Sequence, residues 1–369
     1  MQPERKRMRI LHVADRLGTR GGADWHLLGL LYELGRDGET NLAVGRKEVP
    51  PAESCQVTIV PGLEAGSAAA LDALEALAHR LSPDVIHLHN CMGPAVLRWG
   101  AARGAILTVQ DHRVFCPGRG KLTLDGRVCR EPMAPSTCAN CFEDHEYFDR
   151  MFDVTRRRLD ALGGMRAVIV LSRYMRDELV AVGVDVARIA VIPPFVHGLD
   201  TTATADGPPC VLFVGRLVAA KGVFDVVDAH RLSGVGLPLV FAGTGSERAR
   251  LETAGCDVLG WVPHDRLASI YKRACVLMMP SRWQEPFGIV GLEALTMSVP
   301  VVAWDSGGVS EWHAAVTPWG DIGALARDLL AALEVGSRRR LPDGFDPATL
   351  MTRLRDLYAA VANARDARP

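Results

Sequence analysis

The sequence predicts an α/β protein built from two parallel β-sheets, each covered by helices. Short apolar runs typical of buried strands alternate with helix-like segments along almost the whole chain, which is the pattern of strand–helix–strand units. The length of 369 residues is sufficient for two or three domains with large cores. A polar, Pro- and Gly-rich stretch, residues 198–209, interrupts the alternation and is interpreted as an interdomain linker.

The first half contains five predicted strands. They are residues 8–14, 85–88, 105–109, 167–171 and 188–192. A Gly-containing loop at 15–22 follows the first strand, and residues 23–34 form a helical pattern with leucines on one face. Ser172 is placed to cap the helix that follows the fourth strand.

The second half repeats the alternation with strands at residues 210–214, 239–242, 276–279 and 299–303. Residues 347–362 read as a final helix with an apolar stripe. We therefore predict a first domain at 1–198, a second at 199–345 and a terminal helix at 346–369. Two such domains place their strand ends at an interdomain cleft, where ligands of open α/β sheets bind.

Composition excludes several classes of function. The formal net charge of −1 makes nucleic acid an unexpected main partner. No apolar run spans a bilayer, and the basic N-terminus lacks the apolar stretch of a signal peptide. Nine cysteines, an odd number, argue against a secreted disulfide framework. We expect a cytoplasmic protein, with Arg runs at 156–158 and 338–340 supporting at most peripheral contact with the inner membrane face.

The most informative segment is residues 285–293. Glu285 follows a predicted strand and precedes Pro286, and a second carboxylate, Glu293, lies in the helical pattern that follows. Pro286 is expected at the first helical position, and a helix start binds anions. A carboxylate beside such a helix start suits a ligand with both hydroxyls and phosphates, such as a sugar nucleotide. The alternative is that both glutamates are solvated surface residues.

Two cations follow the first strand of the second half. Arg216 lies just beyond residues 210–214, and Lys221 precedes Gly222 at a predicted helix start. Arg binds phosphate oxygens in a forked geometry and Lys supplies a compact charge, so the pair suits a diphosphate. The alternative is two solvated loop cations. Gly243, after the next strand, belongs to a tight turn of the kind that admits a ligand.

Together, these segments resemble retaining glycosyltransferases of the GT-B fold, specifically glycosyltransferase family 4 (group 1). The order and spacing match across the second domain, while the first domain matches more loosely through Gly21-Gly22 and residues 84–90 and 172–174. The matching pieces of the second domain are residues 214–216, 221–222, 242–245, 259–262, 280–294, 299–302 and 307–311.

The resemblance implies a role for each matching residue. Arg216 and Lys221 would hold the donor diphosphate, Glu285 would contact the transferred sugar, and Glu293 would bind the ribose. The resemblance also implies that the final helix braces the first domain. The remaining donor-side positions it implies are Gly21, Gly22, Gly243, Trp261, Val262 and the backbone N–H groups of Phe287, Gly288 and Ile289.

The implied reaction moves a sugar from a UDP-, GDP- or ADP-sugar to a glycan, a lipid-linked sugar or a small metabolite. It retains anomeric configuration and requires no cofactor. On the acceptor side, relatives often carry His-Asp after the third strand of the first domain, where this chain has Gln110-Asp111. Either Gln110 serves by hydrogen bonding or His112 takes the place, and we expect Asp111 and His112 near the acceptor. An ordinary loop histidine is the alternative for His112.

A cysteine-rich loop at 112–145 contains Cys116, Cys129, Cys138 and Cys141, in the spacing C-x12-C-x8-C-x2-C. A long structureless loop in a compact domain needs a reason, and a four-thiolate zinc site supplies one. An iron–sulfur cluster uses the same ligands. Reduced thiols in an acceptor-binding lid and disulfides are the alternatives.

Three rival functions remain at the sequence level. A sugar-nucleotide epimerase shares the fold but lacks the two glutamates at this spacing. A glycoside hydrolase needs two carboxyl groups roughly 5–10 Å apart across one sugar bond, whereas Glu293 lies two helical turns beyond the loop. The third is a non-catalytic sugar-nucleotide-binding protein, against which the joint presence of Arg216, Lys221, Glu285 and Glu293 argues.

Overall fold

The computed structural model describes residues 8–35, 39–50, 55–334 and 341–366, so the Arg run at 338–340 lies outside the described residues. The chain folds into two compact units. Unit 1 comprises Met1–Gly118, Glu131–Phe195 and Asp346–Pro369, and unit 2 comprises Arg119–Arg130 and Val196–Phe345. Two assignments differ from the sequence-based division. Residues 119–130, interpreted as part of a first-domain loop, belong to unit 2, and so do residues 196–198 at the end of the predicted first domain.

Unit 1 is built on a seven-stranded sheet in the order β3-β2-β1-β4-β5-β6-β7. Every neighbouring pair of strands is parallel. The strands are β1 (Arg9–Leu17), β2 (Glu39–Lys47), β3 (Cys55–Ile59), β4 (Val85–His89), β5 (Ile106–Val109), β6 (Ala167–Val170) and β7 (Ile189–Val191). Strands β2 and β3 were not predicted from the sequence, because both are edge-side strands that carry several polar residues.

Helices cover both faces of this sheet. They are α1 (Gly22–Gly35), α2 (Ala68–Leu81), α3 (Pro94–Ala102), α4 (Pro135–Cys138), α5 (His145–Leu162), α6 (Arg173–Ala181) and, at the end of the chain, α12 (Pro347–Asp366). Ser172 caps α6 as predicted, by accepting a hydrogen bond from the Met175 N–H. Helix α12 places Leu350, Leu354 and Tyr358 in one apolar core with residues of β1, β4, β5 and β6.

Unit 2 contains a five-stranded parallel sheet in the order β10-β9-β8-β11-β12. Its strands are β8 (Cys210–Val214), β9 (Leu239–Ala242), β10 (Asp257–Gly260), β11 (Ala274–Met279) and β12 (Val301–Ala303). Its helices are α7 (Val223–Ser233), α8 (Arg248–Thr253), α9 (His264–Arg273), α10 (Ile289–Thr296) and α11 (Ile322–Glu334). The two parallel-sheet units confirm the predicted α/β fold class. In the part of the chain that the structure describes, no helix has the length and apolar character needed to cross a membrane.

Candidate functional site

The predicted donor-side residues of unit 2 gather at the carboxyl edge of its sheet. The strand order reverses direction between β8 and β11, and such a switch point is where open parallel sheets bind ligands. Arg216 and Lys221 follow β8, whereas Glu285 follows β11. The topology therefore brings together cations and a carboxylate that lie some 65 positions apart in the sequence.

Lys221 and Glu285 form an ion pair, with Lys221 Nζ 2.5 Å from Glu285 Oε1. The Ser281 hydroxyl donates to the same oxygen. Burial alone would raise the pKa of Glu285, but the Lys221 charge and the hydrogen bonds from Lys221, Ser281 and Trp283 hold it below its ordinary value. The carboxylate is therefore ionised and fixed in orientation although its side chain is only 6% exposed.

The two cations share one aromatic platform. The Arg216 guanidinium carbon lies 5.1 Å from the centroid of the Trp283 ring, and Lys221 Nζ lies 4.5 Å from it. The negative face of an indole attracts cations at such distances. Trp283 thus concentrates positive charge at the switch point, although Arg216 itself is exposed. This arrangement suits a ligand with two adjacent negative charges.

Several glycines of this edge are required by the packing of the chain itself. A Cβ on Gly222 would lie 1.8 Å from the Pro280 oxygen, and one on Gly243 would lie 1.8 Å from the Gly215 oxygen. Both glycines have positive φ. The structure therefore gives Gly243 a packing role, whereas the sequence alone suggests only ligand access.

Helix α10 begins at Ile289, with Gly288 as a left-handed N-cap of φ 89°. The prediction that Pro286 occupies the first helical position is wrong, because the chain stays irregular until Gly288 turns it. Phe287 is buried and its carbonyl accepts a hydrogen bond of 2.7 Å from Trp312 Nε1. The N–H groups of residues 287–289 still lie at the start of α10, where the helix dipole favours anions.

Glu293 lies inside α10 and is buried. The Tyr271 hydroxyl donates to its Oε2 at 2.8 Å. Burial raises the pKa of Glu293 to about 7, although the Tyr271 hydrogen bond opposes the change. Glu293 therefore changes its protonation state near neutral pH, unlike Glu285.

The predicted donor-side positions 261 and 262 follow β10. Trp261 is 52% exposed, and Val262 is partly buried. An exposed indole at the carboxyl edge of a sheet can stack on a planar ring.

Sequence reasoning missed four side chains that organise this edge, namely Trp283, Ser281, Tyr271 and Ser306. Ser306 Oγ donates to the Trp283 carbonyl at 2.7 Å and accepts from the Glu285 N–H at 3.3 Å. Ser281 and Trp283 could have been noticed because they fall inside the 280–294 motif. Tyr271 and Ser306 lie outside this motif in the sequence, and only the fold brings them into contact with it.

In unit 1 the strand order reverses between β1 and β4, so its switch point lies where these two strands end. Gly21 and Gly22 follow β1, with Gly22 beginning α1. Asp24 in the first turn of α1 accepts from the Arg20 N–H at 2.9 Å and pairs with Arg16 at 3.1 Å. Asp24 therefore holds the glycine loop in place.

The predicted acceptor-side residues follow β5, and each of them contacts a different residue. Asp111 caps a short helical turn through the Arg113 N–H and pairs with the Arg113 guanidinium at 2.6 Å. His112 is buried, with its Nε2 3.1 Å from the Tyr174 hydroxyl and its ring against Phe115. Gln110 is also buried, and its Nε2 lies 2.9 Å from His26 Nδ1.

A group of histidines lies on β1 and β4, the two strands that flank the switch point of unit 1. His12, His87 and His89 are fully buried, and their ligand atoms lie within 4.8 Å of one another. His12 Nδ1 is 2.8 Å from His89 Nε2, while the two ring nitrogens of His87 face the hydroxyls of Tyr358 and Thr108. Burial lowers the pKa of all three, so that the rings are neutral. Neutral imidazoles are metal ligands, but hydrogen bonds engage at least one nitrogen of each ring.

The four cysteines of the predicted metal site are divided between the units. Cys116, Cys138 and Cys141 belong to unit 1 and Cys129 to unit 2. All four are half-buried, and none forms a disulfide. Among the described residues, one group of three or more potential metal ligands has its ligand atoms within 4.8 Å of one another, and it consists of His12, His87 and His89. The zinc or iron–sulfur centre at the cysteines therefore stays a prediction.

Two family models match consecutive parts of the chain. Residues 20–197 match the model described as Glycosyltransferase Family 4. Residues 200–335 match the model described as Glycosyl transferases group 1.

Similar sequences carry related descriptions. The 2-deoxystreptamine N-acetyl-D-glucosaminyltransferase of Streptomyces fradiae is 30% identical over 331 residues, which cover 80% of this chain and 74% of that protein. The glycogen synthase of Mycobacterium tuberculosis is 29% identical over 229 residues, which cover 53% of this chain. The chain matches only about half the length of that synthase, 54%.

Solved structures share the fold. Anabaena HepE in complex with UDP and glucose superposes with a TM-score of 0.65 at 17% identity, covering 96% of this chain and all of that one. The catalytic domain of starch synthase IV from Arabidopsis thaliana, bound to ADP and acarbose, gives a TM-score of 0.68 at 13% identity, covering 97% of this chain and all of that one.

Proposed function

The chain belongs to the group 1 glycosyltransferases of glycosyltransferase family 4, and on that premise we propose that it transfers a sugar from a nucleotide sugar to an acceptor with retention of anomeric configuration. The observation that carries the proposal is the convergence of Arg216 and Lys221 on Trp283 beside the ionised Glu285. This geometry supplies positive charge for a diphosphate and a carboxylate for sugar hydroxyls on one sheet edge.

The proposed reaction follows from where charge develops. The bond between the anomeric carbon and the diphosphate oxygen breaks, its electron pair leaves with the nucleoside diphosphate, and the sugar gains oxocarbenium character. An acceptor hydroxyl then bonds to the anomeric carbon, and its proton passes to the departing diphosphate, whose oxygen has gained the electron pair of the broken bond. Arg216 and Lys221 stabilise the departing diphosphate, as preorganised charges do in other transfer reactions.

The donor and acceptor are proposed by class. HepE is described with UDP and UDP-glucose and the starch synthase with ADP, so the neighbours support a nucleotide donor without agreeing on its base. The Streptomyces fradiae relative is named for a small aminocyclitol acceptor, whereas glycogen synthase is named for a glycan. We propose a glycan, a lipid-linked sugar or a small metabolite as the acceptor.

Thermal unfolding in the presence of UDP, GDP, ADP or dTDP tests the donor site. A ligand at about 100 times its dissociation constant stabilises the folded protein by about 2.7 kcal/mol. We expect one nucleotide to raise the Tm and expect Arg216→Ala and Glu293→Ala to abolish the shift. If none of the four nucleotides raises the Tm of the wild-type protein, the proposed function is wrong.

Glu293 makes donor affinity depend on pH. Since its pKa is about 7, the ionised fraction falls roughly tenfold between pH 8 and pH 6. A carboxylate accepts hydrogen bonds from ribose hydroxyls better than a carboxylic acid does, so we expect affinity to weaken by up to about tenfold over that range. The measurement is calorimetric titration with a nucleotide sugar. Both of its phosphates are esterified, so that the ligand itself does not titrate between pH 6 and pH 8.

Glu293→Gln provides the control, because its amide keeps the size and an acceptor for Tyr271 but does not titrate. Its affinity for the nucleotide sugar should be flat from pH 6 to pH 8. A wild-type profile that is equally flat would show that Glu293 does not contact the donor.

A further inference from the structure

Residues 119–130 form a small β-hairpin that packs within unit 2. Leu122 pairs with Val128 in an antiparallel bridge, and the Cys129 N–H donates to the Lys121 carbonyl at 2.8 Å. The tip is a tight turn closed by the Gly126 N–H and the Thr123 carbonyl at 3.1 Å. The hairpin was not expected from the sequence, and the proposed donor-site roles do not use it.

The hairpin contacts the residue that precedes Glu285. The Gln284 N–H donates to the Gly120 carbonyl at 3.2 Å. The Gln284 side chain is held separately, because its Oε1 accepts from the Gly307 N–H at 2.9 Å. Since a backbone N–H requires an acceptor, this bond also determines which end of the amide is oxygen. Gln284 is therefore fixed at its backbone by the hairpin and at its side chain by residue 307.

These contacts leave the amide nitrogen of Gln284 with two donors and, among the described residues, no acceptor. The residue is only 8% exposed. Buried donors without an acceptor are rare in folded proteins, because each one forgoes the hydrogen bond it made to water. An unpartnered group next to Glu285 is therefore a candidate for binding a ligand oxygen.

The hairpin contains a residue in an unusual backbone conformation, Lys121, next to the point of contact. Gly120 and Lys121 are consecutive residues in the left-handed region, with φ of 69° and 62°. Lysine seldom adopts this conformation, and such residues persist where the surroundings determine them. Lys121 is also buried, since only 4% of it is exposed. The start of the hairpin is thus held firmly in the position that presents the Gly120 carbonyl to Gln284.

We propose that Gln284 binds the transferred sugar, donating from Nε2 to a sugar hydroxyl or carboxylate oxygen, and that the hairpin 119–130 positions it for this task. The inference rests on the proposed function, because it deepens the same donor site. It adds a neutral hydrogen-bond donor beside the anionic Glu285, so that the pair recognises both a hydroxyl hydrogen and a sugar oxygen. Because Nε2 is enclosed in this structure, sugar binding requires the side chains around it to open, while the hydrogen bond from the Gln284 N–H to the Gly120 carbonyl stays in place.

Gln284→Met tests the direct contact, since methionine retains the length of the side chain and removes the amide. The probes are a nucleoside diphosphate and the matching nucleotide sugar: UDP with UDP-glucose, GDP with GDP-mannose, ADP with ADP-glucose or dTDP with dTDP-glucose. The pair used is the one whose nucleotide stabilises the wild-type protein. We expect the affinity for the nucleotide sugar to fall roughly threefold to tenfold and that for the nucleotide alone to change less than twofold.

A pair of glycine variants tests the role of the hairpin. Gly120→Ala strains the residue whose carbonyl holds Gln284, whereas Gly126→Ala strains the tip, where a Cβ would meet nothing within 4 Å. Both substitutions occur at positive φ, so their backbone costs are similar. We expect Gly120→Ala to reproduce the selective loss of nucleotide-sugar affinity and Gly126→Ala to bind both probes as the wild type does.

The outcomes separate this inference from the proposed function. If the wild type binds the nucleotide, but Gln284→Met binds the nucleotide sugar as tightly as the wild type does, the inference alone fails. Equal losses for the nucleotide and the nucleotide sugar would also overturn it, because they indicate a purely structural role. If the wild type binds none of the nucleotides, the donor site itself is refuted and the inference with it.

Discussion

Replacing Lys221 by alanine is expected to lower kcat roughly 100-fold to 1000-fold, the usual effect of removing one preorganised group that stabilises developing charge. The structure gives two reasons. The ammonium is held at the switch point by Trp283 and Glu285, so it needs no reorganisation when the diphosphate departs. Its loss also leaves the Glu285 carboxylate buried without its cation, which costs about 3–5 kcal/mol.

The measurement is release of nucleoside diphosphate from the nucleotide sugar with water as the acceptor, which requires no knowledge of the natural acceptor. Lys272→Ala is the matched control, since Lys272 is an exposed lysine of the same unit. The double variant Lys221→Ala/Glu285→Gln separates the two effects, because it should recover stability without recovering turnover. Unchanged turnover in a folded Lys221→Ala protein would remove Lys221 from the mechanism.

Unit 1 is expected to lose stability steeply as the pH falls below 6.5. Burial lowers the pKa of His12 to about 3 and that of His26 to about 4, and lowers the pKa values of His87 and His89 well below the ordinary range. Below pH 6.5 these histidines are therefore protonated in the unfolded chain while they are still neutral in the folded protein. The stabilisation is complete above pH 6.5 and is lost as the pH falls towards 4 for His26 and 3 for His12.

The expected magnitude is roughly 2 kcal/mol per buried histidine by pH 5, since that pH lies about 1.5 units below the unfolded value. Urea unfolding between pH 7.5 and pH 5 measures the effect. His26→Gln should reduce the loss of unfolding free energy between pH 7.5 and pH 5 by roughly 2 kcal/mol. Glutamine can still bond to Gln110, but it does not titrate. His79→Gln should leave this loss unchanged, since His79 has an 80% exposed side chain. A wild-type profile without a decline below pH 6.5 would contradict the prediction.

The sequence predicted the central strands and the family because those features depend on local runs and on motif order. Strands such as β8, β9 and β11 are continuous apolar segments, and their positions were predicted within a few residues. The carboxylate Glu285 and the cations Arg216 and Lys221 were recognised because each lies in the loop that follows a strand, and the parallel topology then brings them to one edge. The family models confirm the predicted resemblance.

Other features depend on contacts that a single sequence does not encode locally. Tyr271 was missed because it lies in a different helix from Glu293, and only packing brings its hydroxyl to the carboxylate. Pro286 was placed in a helix because its own preferences allow it, whereas Gly288 determines where α10 begins. The cysteine spacing predicts one metal site, and that site stays a prediction; the sequence did not indicate that Cys129 belongs to unit 2 and the other three cysteines to unit 1.

The chain enters or leaves unit 2 four times, since both the hairpin 119–130 and the terminal stretch 346–369 lie apart in sequence from the rest of their units. A chimera cut once at the linker would therefore separate the donor-side sheet from its hairpin and the first sheet from α12. Leu350, Leu354 and Tyr358 would then be missing from the core of unit 1. Recombination among relatives that keeps unit 2 intact has to move residues 119–130 together with residues 196–345, so the coding sequence of this unit is a discontinuous block of the gene.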